Sequence, residues 1–232
     1  MQNVSRRTAL KTIGATGTLL LTGTGVAGAR PGKEEAGLRV AHASPDAPAV
    51  DILVDGSAVI TGLEFREVTG YLEVPAGTYE IAVNVAGTDT AVFGPVDVTL
   101  EGEDYTAVAL GEVTSDDTDF TVSIFEDTNG ANISDDEARV RAIHASPDAP
   151  AVDVTVNDGA LTLFDGFAFG ESSGYVVVPA GTYEVEVRPD TEDNDGSVVS
   201  EADVTLEGRS TYTVFALGYL TPDDEPPSFH DR

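Results

Sequence analysis

Beyond residue 37 the chain is a succession of short runs in which apolar and polar residues alternate, broken by turn formers about every 8–12 positions. Leu38, Val40 and His42 share one face of the first run, with Arg39 and Ala41 on the other. Val50, Ile52 and Val54 alternate next, which puts Asp51 on the opposite face, and Asp55-Gly56 is a strong hairpin signal. Further strands are predicted over Ala58–Leu63, Tyr71–Val74 and Thr78–Val85. In the last of these, Tyr79, Ile81, Val83 and Val85 alternate with Glu80, Ala82 and Asn84, giving one wet face. Val96–Leu100, Tyr105–Leu110 and Phe120–Phe125 complete the set. A period of two without a helical period predicts an all-β chain. The strand number and turn spacing point to immunoglobulin-like antiparallel β-sandwiches.

The pattern occurs twice. HASPDAPAVD at His42–Asp51 recurs letter for letter at His144–Asp153, PAGTYE at Pro75–Glu80 recurs at Pro179–Glu184, and VTLEG at Val98–Gly102 recurs at Val204–Gly208. Such identity marks a duplicated unit. Within the decapeptide, Pro45 and Pro48 (Pro147 and Pro150 in the copy) each fix their own φ and push the preceding residue out of the helical region. Ser44 and Asp46 (Ser146 and Asp148) are residues that hydrogen-bond nearby backbone, so the motif reads as a stiff corner between two strands. The predicted order is a leader over 1–29, a spacer over 30–37, a first sandwich over 38–126, an acidic linker over 127–137, a second sandwich over 138–220 and an acidic, proline-containing tail over 221–232. The second copy has no counterpart of Phe120–Phe125. Its last strand is therefore expected to leave a sheet edge that is bare, covered by the tail or a neighbour, or shared in weak self-association. With the Gly-Tyr pairs (Gly70-Tyr71, Gly174-Tyr175) and the closing Ala-Leu-Gly (Ala109–Gly111, Ala216–Gly218), these motifs make the chain resemble the family called domain of unknown function 4397, DUF4397, over most of its length. The resemblance implies an extracytoplasmic β-sandwich module, often in tandem and associated with cell surfaces, and brings no catalytic residues with it.

Charge changes the picture next. The 232 residues hold 41 acidic and 12 basic side chains, a formal charge of −29, with only two lysines (Lys11 and Lys33) and no cysteine. Nucleic acid is excluded as a partner, since phosphate binding needs a basic face. Such self-repulsion opposes compaction at low ionic strength, but at about 1 M salt the Debye length is only ~3 Å. Together these features read as an extreme halophile of archaeal type. The N-terminus reads as a processing segment: Ser5-Arg6-Arg7-Thr8-Ala9-Leu10-Lys11 resembles a twin-arginine export signal. A mildly apolar, glycine-interrupted run follows over Thr12–Val26, and Ala27-Gly28-Ala29 offers a small-residue cleavage site. Cleavage after Ala29 would remove Arg6, Arg7 and Lys11 and take the charge from −29 to −32. The expected address is extracellular or the cell surface, and Asn132-Ile133-Ser134 is an N-glycosylation sequon in the linker.

Candidate chemistry is thin. His42 with Asp46 and Asp51, and His144 with Asp148 and Asp153, offer imidazole and carboxylate for a metal, but a histidine held by a turn carboxylate or backbone carbonyl accounts for the same residues. Ser44 and His42 lie too close on one turn for a triad. Gly170-Glu171-Ser172-Ser173-Gly174 matches G-x-S-x-G, yet a strand follows where a hydrolase needs a helix. The acidic loop with Asp190, Asp193 and Asp195 supplies oxygen ligands for Ca²⁺ without EF-hand spacing. No catalytic residue and no cofactor is assigned. The sequence reads as a secreted or cell-surface structural or adhesive module. A ligand-binding module (glycan, Ca²⁺, an envelope or S-layer protein) stands as the alternative and a hydrolase as a distant third.

Overall fold

The computed structural model describes residues 7–11, 18–25, 34–115, 118–129 and 132–221. Every element among them is a strand, and the chain divides into two compact units that part between Thr128 and Asn129. Two N-terminal strands, β1 (Arg7–Lys11) and β2 (Thr18–Gly25), belong to the second unit. Arg6, Ala27, Ala29 and the tail beyond Thr221 lie outside the described residues.

The first unit runs β3 (Glu35–His42), β4 (Val50–Val54), β5 (Ser57–Leu63), β6 (Leu72–Pro75), β7 (Gly77–Val85), β8 (Ala91–Leu100), β9 (Asp104–Leu110) and β10 (Thr121–Asp127). These make two four-stranded sheets, ordered β10-β9-β3-β6 and β5-β4-β7-β8. Val40, Ala107 and Val122 from the first sheet meet Val50, Ile52, Leu63 and Val83 from the second in one buried core. This is a sandwich, as alternation predicts. One feature goes beyond the pattern: β3 and β9 run parallel, Val40 opposite Ala107, while the other ladders are antiparallel. A parallel pair in mid-sheet is commonly buried on both faces. Here Ala41, Val108 and Leu110 are as buried as Val40, which explains why Tyr105–Leu110 is apolar almost without a break.

Arg39 is buried too. Its Nε lies 2.7 Å from the Thr106 hydroxyl and 3.4 Å from Asp127 Oδ2, and its guanidinium stacks 5.0 Å from the Tyr71 ring centroid. Tyr71 donates to the same carboxylate. Asp127, which the sequence assigns to the linker, is thus the last residue of β10 and neutralises a charge on β3.

The second unit repeats the plan with β11 (Glu137–Ala145), β12 (Val152–Val156), β13 (Leu161–Phe167), β14 (Val176–Pro179), β15 (Gly181–Pro189), β16 (Ser200–Leu206) and β17 (Ser210–Leu217). Its sheets are β1-β2-β17-β11-β14 and β13-β12-β15-β16, with β11 and β17 parallel. Val140, Val154, Phe164, Val185, Val204 and Val214 share its core. Arg139 and Arg141 flank Tyr175 as Arg39 flanks Tyr71. Where the first unit places β10, the second places β2. The sequence reads these residues as a leader rather than a strand. Gly23, Gly25 and threonines lower the helix propensity of this run, and the edge of β17 offers its backbone a partner.

The face expected to be wet in Thr78–Val85 is exposed at Glu80 but closes at Asn84, which is buried, and in the copy it closes further. Glu186 is 2 % exposed. It accepts from Thr155 Oγ1 (2.6 Å), from the N–H groups of Asp158 (2.6 Å) and Gly159 (3.0 Å), and from Arg188 Nη2 (2.8 Å). Asn157, Asp158 and Gly159 all take left-handed φ values of 55°, 60° and 74°, which folds that turn over the carboxylate. The first unit has Leu53, Ala82 and Asn84 at the positions of Thr155, Glu186 and Arg188.

Candidate functional site: the duplicated proline corner

The decapeptide leaves β3 at His42, turns through Ser44–Pro48 and enters β4 at Val50. Each polar side chain in it meets a named group. His42 is 1 % exposed, and its Nε2–H donates to Pro48 O at 3.0 Å across the turn. In the copy, His144 does the same to Pro150 O at 2.9 Å, while its Nδ1 accepts from Ser146 N at 3.3 Å. Ser44 Oγ donates to Gly111 O at 2.6 Å, and Ser146 Oγ to Gly218 O at 2.6 Å. Asp46 gathers the segment after that glycine: Oδ1 accepts from Val113 N (2.9 Å), and Oδ2 accepts from Thr114 N (2.7 Å) and Thr114 Oγ1 (2.6 Å). Asp148 accepts from Leu220 N and Thr221 N, both at 2.7 Å.

Asp51 and Asp153 fasten two further loops. Between Val50 and Ile52 the register with β5 slips, so Thr61 and Gly62 face the single residue Asp51. Such a β-bulge leaves an amide without a ladder partner. Gly62, at φ +65°, gives that N–H to Asp51 Oδ1 at 2.8 Å, and Oδ2 accepts from Gly87 N at 2.8 Å. The copy matches: Gly166 N donates to Asp153 Oδ1 (2.9 Å) and Thr191 N to Oδ2 (3.1 Å). The other repeated words follow the same logic. Tyr79 and Tyr183 donate to the carbonyls of Pro75 and Pro179, closing the PAGTY turn at 2.6 and 2.7 Å. Glu101 and Glu207 donate their N–H groups to the hydroxyls of Tyr105 and Tyr212. Gly111 sits at φ +84°, and a Cβ there would lie 2.2 Å from Asp119 O, so the final residue of Ala-Leu-Gly admits no side chain.

This geometry places His42 and Asp46 on different tasks. The imidazole nitrogen faces the Pro48 carbonyl, and the carboxylate faces the residues after Gly111. Ser44 Oγ is already committed to a carbonyl. A cleft of about 30 Å³ adjoins His144, lined among others by Ser146, Val152 and Leu217, which is room for one water. In Gly170–Gly174, Ser173 Oγ accepts from Ala142 N at 2.8 Å, as Thr69 does from Val40 N at 2.9 Å, and strand β14 follows. Asp190 approaches Asp153 and Asp165 closely enough to share an ion. With its amide nitrogen turned toward them, Asn194 donates to both oxygens of Asp153 (3.1 Å each) and to Asp165 (2.8 Å), filling the space between the carboxylates. Asp193 and Asp195 are exposed on the same loop, with Asp195 bonded to Thr191, and Asn132 is exposed.

Sequence models bear on this arrangement directly. The model of the domain of unknown function DUF4397 matches residues 36–155 and again 138–231. The chain belongs to the DUF4397 family. No curated protein matches the chain. In this DUF4397 protein the family's repeated words coincide with the side chains that pair backbone groups, and both copies use them alike. Superposing the two copies also exposes what the motifs alone do not, the bonded trio Thr155, Glu186 and Arg188, which stands where the first module has Leu53, Ala82 and Asn84.

Burial lowers the pKa of His42 and His144, partly offset by the Pro48 and Pro150 carbonyls and by nearby carboxylates. For Glu186, burial acts upward, but the bonds from Thr155, Arg188 and Asp158 N and the Arg188 charge outweigh it and hold the carboxyl below its usual value. Two outcomes follow. Asp46→Ala strands the Val113 and Thr114 amides and is expected to destabilise the chain by about 2–4 kcal/mol, and Asp46→Asn by less, as read from urea unfolding in molar salt. The unfolded chain takes up imidazole protons before the folded one does. Stability should therefore be full above about pH 6.5 and fall as pH drops below it. His42→Gln with His144→Gln should flatten that acid limb in thermal melts.

Proposed function

We propose that the chain is a non-catalytic structural or adhesive module of a halophile, exported through a twin-arginine leader and working at or beyond the cell surface. The observation that carries this reading is the use of the repeated motif. The hydroxyl, imidazole Nε2 and carboxylates that would serve an active site bond carbonyls and amides of the module's own loops, in the same pattern in both copies. The halophilic part draws on charge. Glu184, exposed on β15, is pushed up by partial desolvation and by the crowding of Asp158, Glu201 and Asp203, a repulsion that salt relieves. The exposed sequon at Asn132 suits a glycosylated surface protein. On this reading the partner is an envelope protein or glycan, and nucleic acid is not one.

The full chain is expected to keep its strand circular dichroism in molar salt and lose it on dialysis to about 10 mM salt, where the screening length grows to about 30 Å. In molar salt it should sediment with isolated haloarchaeal envelopes. Retention in the supernatant, together with ester or amide hydrolysis abolished by Ser44→Ala with Ser146→Ala, would replace the scaffold reading with an enzymatic one.

A further inference from the structure

The first unit finishes its inner sheet with β10, which follows β9 in the chain. In the second unit no strand follows β17 among the described residues. Its sheet is nevertheless completed in the same place, on the same side and in the same direction, by β2. The registers agree residue for residue. Aligning the Ala-Leu-Gly closings makes Leu110 equivalent to Leu217. Thr121 stands opposite Leu110, and Thr18 stands opposite Leu217. Val122 then faces Ala109 as Leu19 faces Ala216, and Ile124 faces Ala107 as Leu21 faces Val214. The match continues to Asp127 and Thr24, opposite Asp104 and Thr211. A slip of one position would exchange the two faces of the strand, so agreement along the whole of β10 is a stringent match. It is reached by a segment that lies at the other end of the chain.

We infer that Thr18–Gly25 is the strand that covers β17 and closes the second module, donated within the same chain in the register that β10 occupies in the first, with β1 lying outside it. The occupant is fixed by this register and by the gap in the second repeat. Addition of a strand to an open edge satisfies a row of backbone groups and needs little from side chains. A run of leucine, threonine and glycine therefore serves where the first unit uses Thr121–Asp127. The segment read as an export leader gains a second role, closing the module. This role belongs to the full chain, since cleavage after Ala29 would remove the strand and uncover β17.

Two measurements on the full chain test it. In the unaltered protein, successive amides of β17 point alternately to β11 and to the outer edge. If β2 is seated, hydrogen exchange should be slowed by about tenfold or more at every residue from Thr211 to Leu217. Fast exchange at alternate residues would mean a bare edge and would overturn the proposal. The chain contains no cysteine, so engineered thiols pair only with each other. Leu19→Cys with Ala216→Cys places two thiols on opposite positions, within reach of a disulfide. Leu20→Cys with Ala216→Cys turns one thiol to the other face. Mild oxidation should cross-link the first pair within a single chain and leave the second at least about tenfold less linked. Equal linkage of the two pairs, failure of both, or a cross-link found only between chains would each remove Thr18–Gly25 as the intrachain strand on β17. The last outcome would give the edge to a second copy.

Discussion

A buried amide without an acceptor destabilises a fold by about 1–3 kcal/mol, and a sandwich creates such amides wherever its ribbon turns from one sheet to the other. The DUF4397 corner is a device for supplying those acceptors. Asp46 takes the part-buried amides after Gly111, Ser44 and His42 act as donors to carbonyls in the same neighbourhood, and Asp51 ties down the more exposed amides of Gly62, at the bulge, and Gly87. A carboxylate is suited to this work because it accepts several bonds at once, and charge-assisted bonds are stronger than neutral ones. The prolines hold the turn so that these acceptors need not be ordered on folding. Strand pairing, burial and the small spacing between loops all depend on that set of bonds.

Much of this was legible in the chain itself. Alternation located the strands to within a few residues, Asp55-Gly56 announced its left-handed turn, and the apolar placement of His42 and His144 announced their burial. What escaped was non-local. No local pattern states that β3 pairs parallel to β9, because that ladder joins residues separated by most of a module. Asp127 looked like linker because its partner Arg39 lies at the opposite end of the unit. The burial of Glu186 had no signal, because alternation assigns a face but says nothing of a three-residue turn folded over it. The role of Asp46 could be narrowed to backbone bonding and Asp51 only to the face away from the core, because the amides they serve come from loops that only the folded chain brings near.

The acidic surface sets a second condition. Repulsion among carboxylates such as Glu184, Glu201 and Asp203 works against the same sheets that the corner holds together. Salt screens the first and leaves the second nearly untouched, because buried pairs are screened far less than exposed ones. Interior bonding and exterior charge are in this way separable, one fixed by geometry and the other by solvent.

Two modules with identical corners face a problem of self-recognition while folding, since a corner from one half matches the loops of the other as well as its own. The trio on the second module supplies the discrimination. Were β12 to pair with β7 in place of β15, Thr155 would meet Ala82, and the Glu186 left behind would face the carbon side chain of Leu53 with no hydroxyl to bind it. Of its donors only Arg188, on its own strand, would remain, and an enclosed carboxylate that loses its other bonds is strongly disfavoured. Such a loss would penalise the exchange of halves that duplication of the corner otherwise invites.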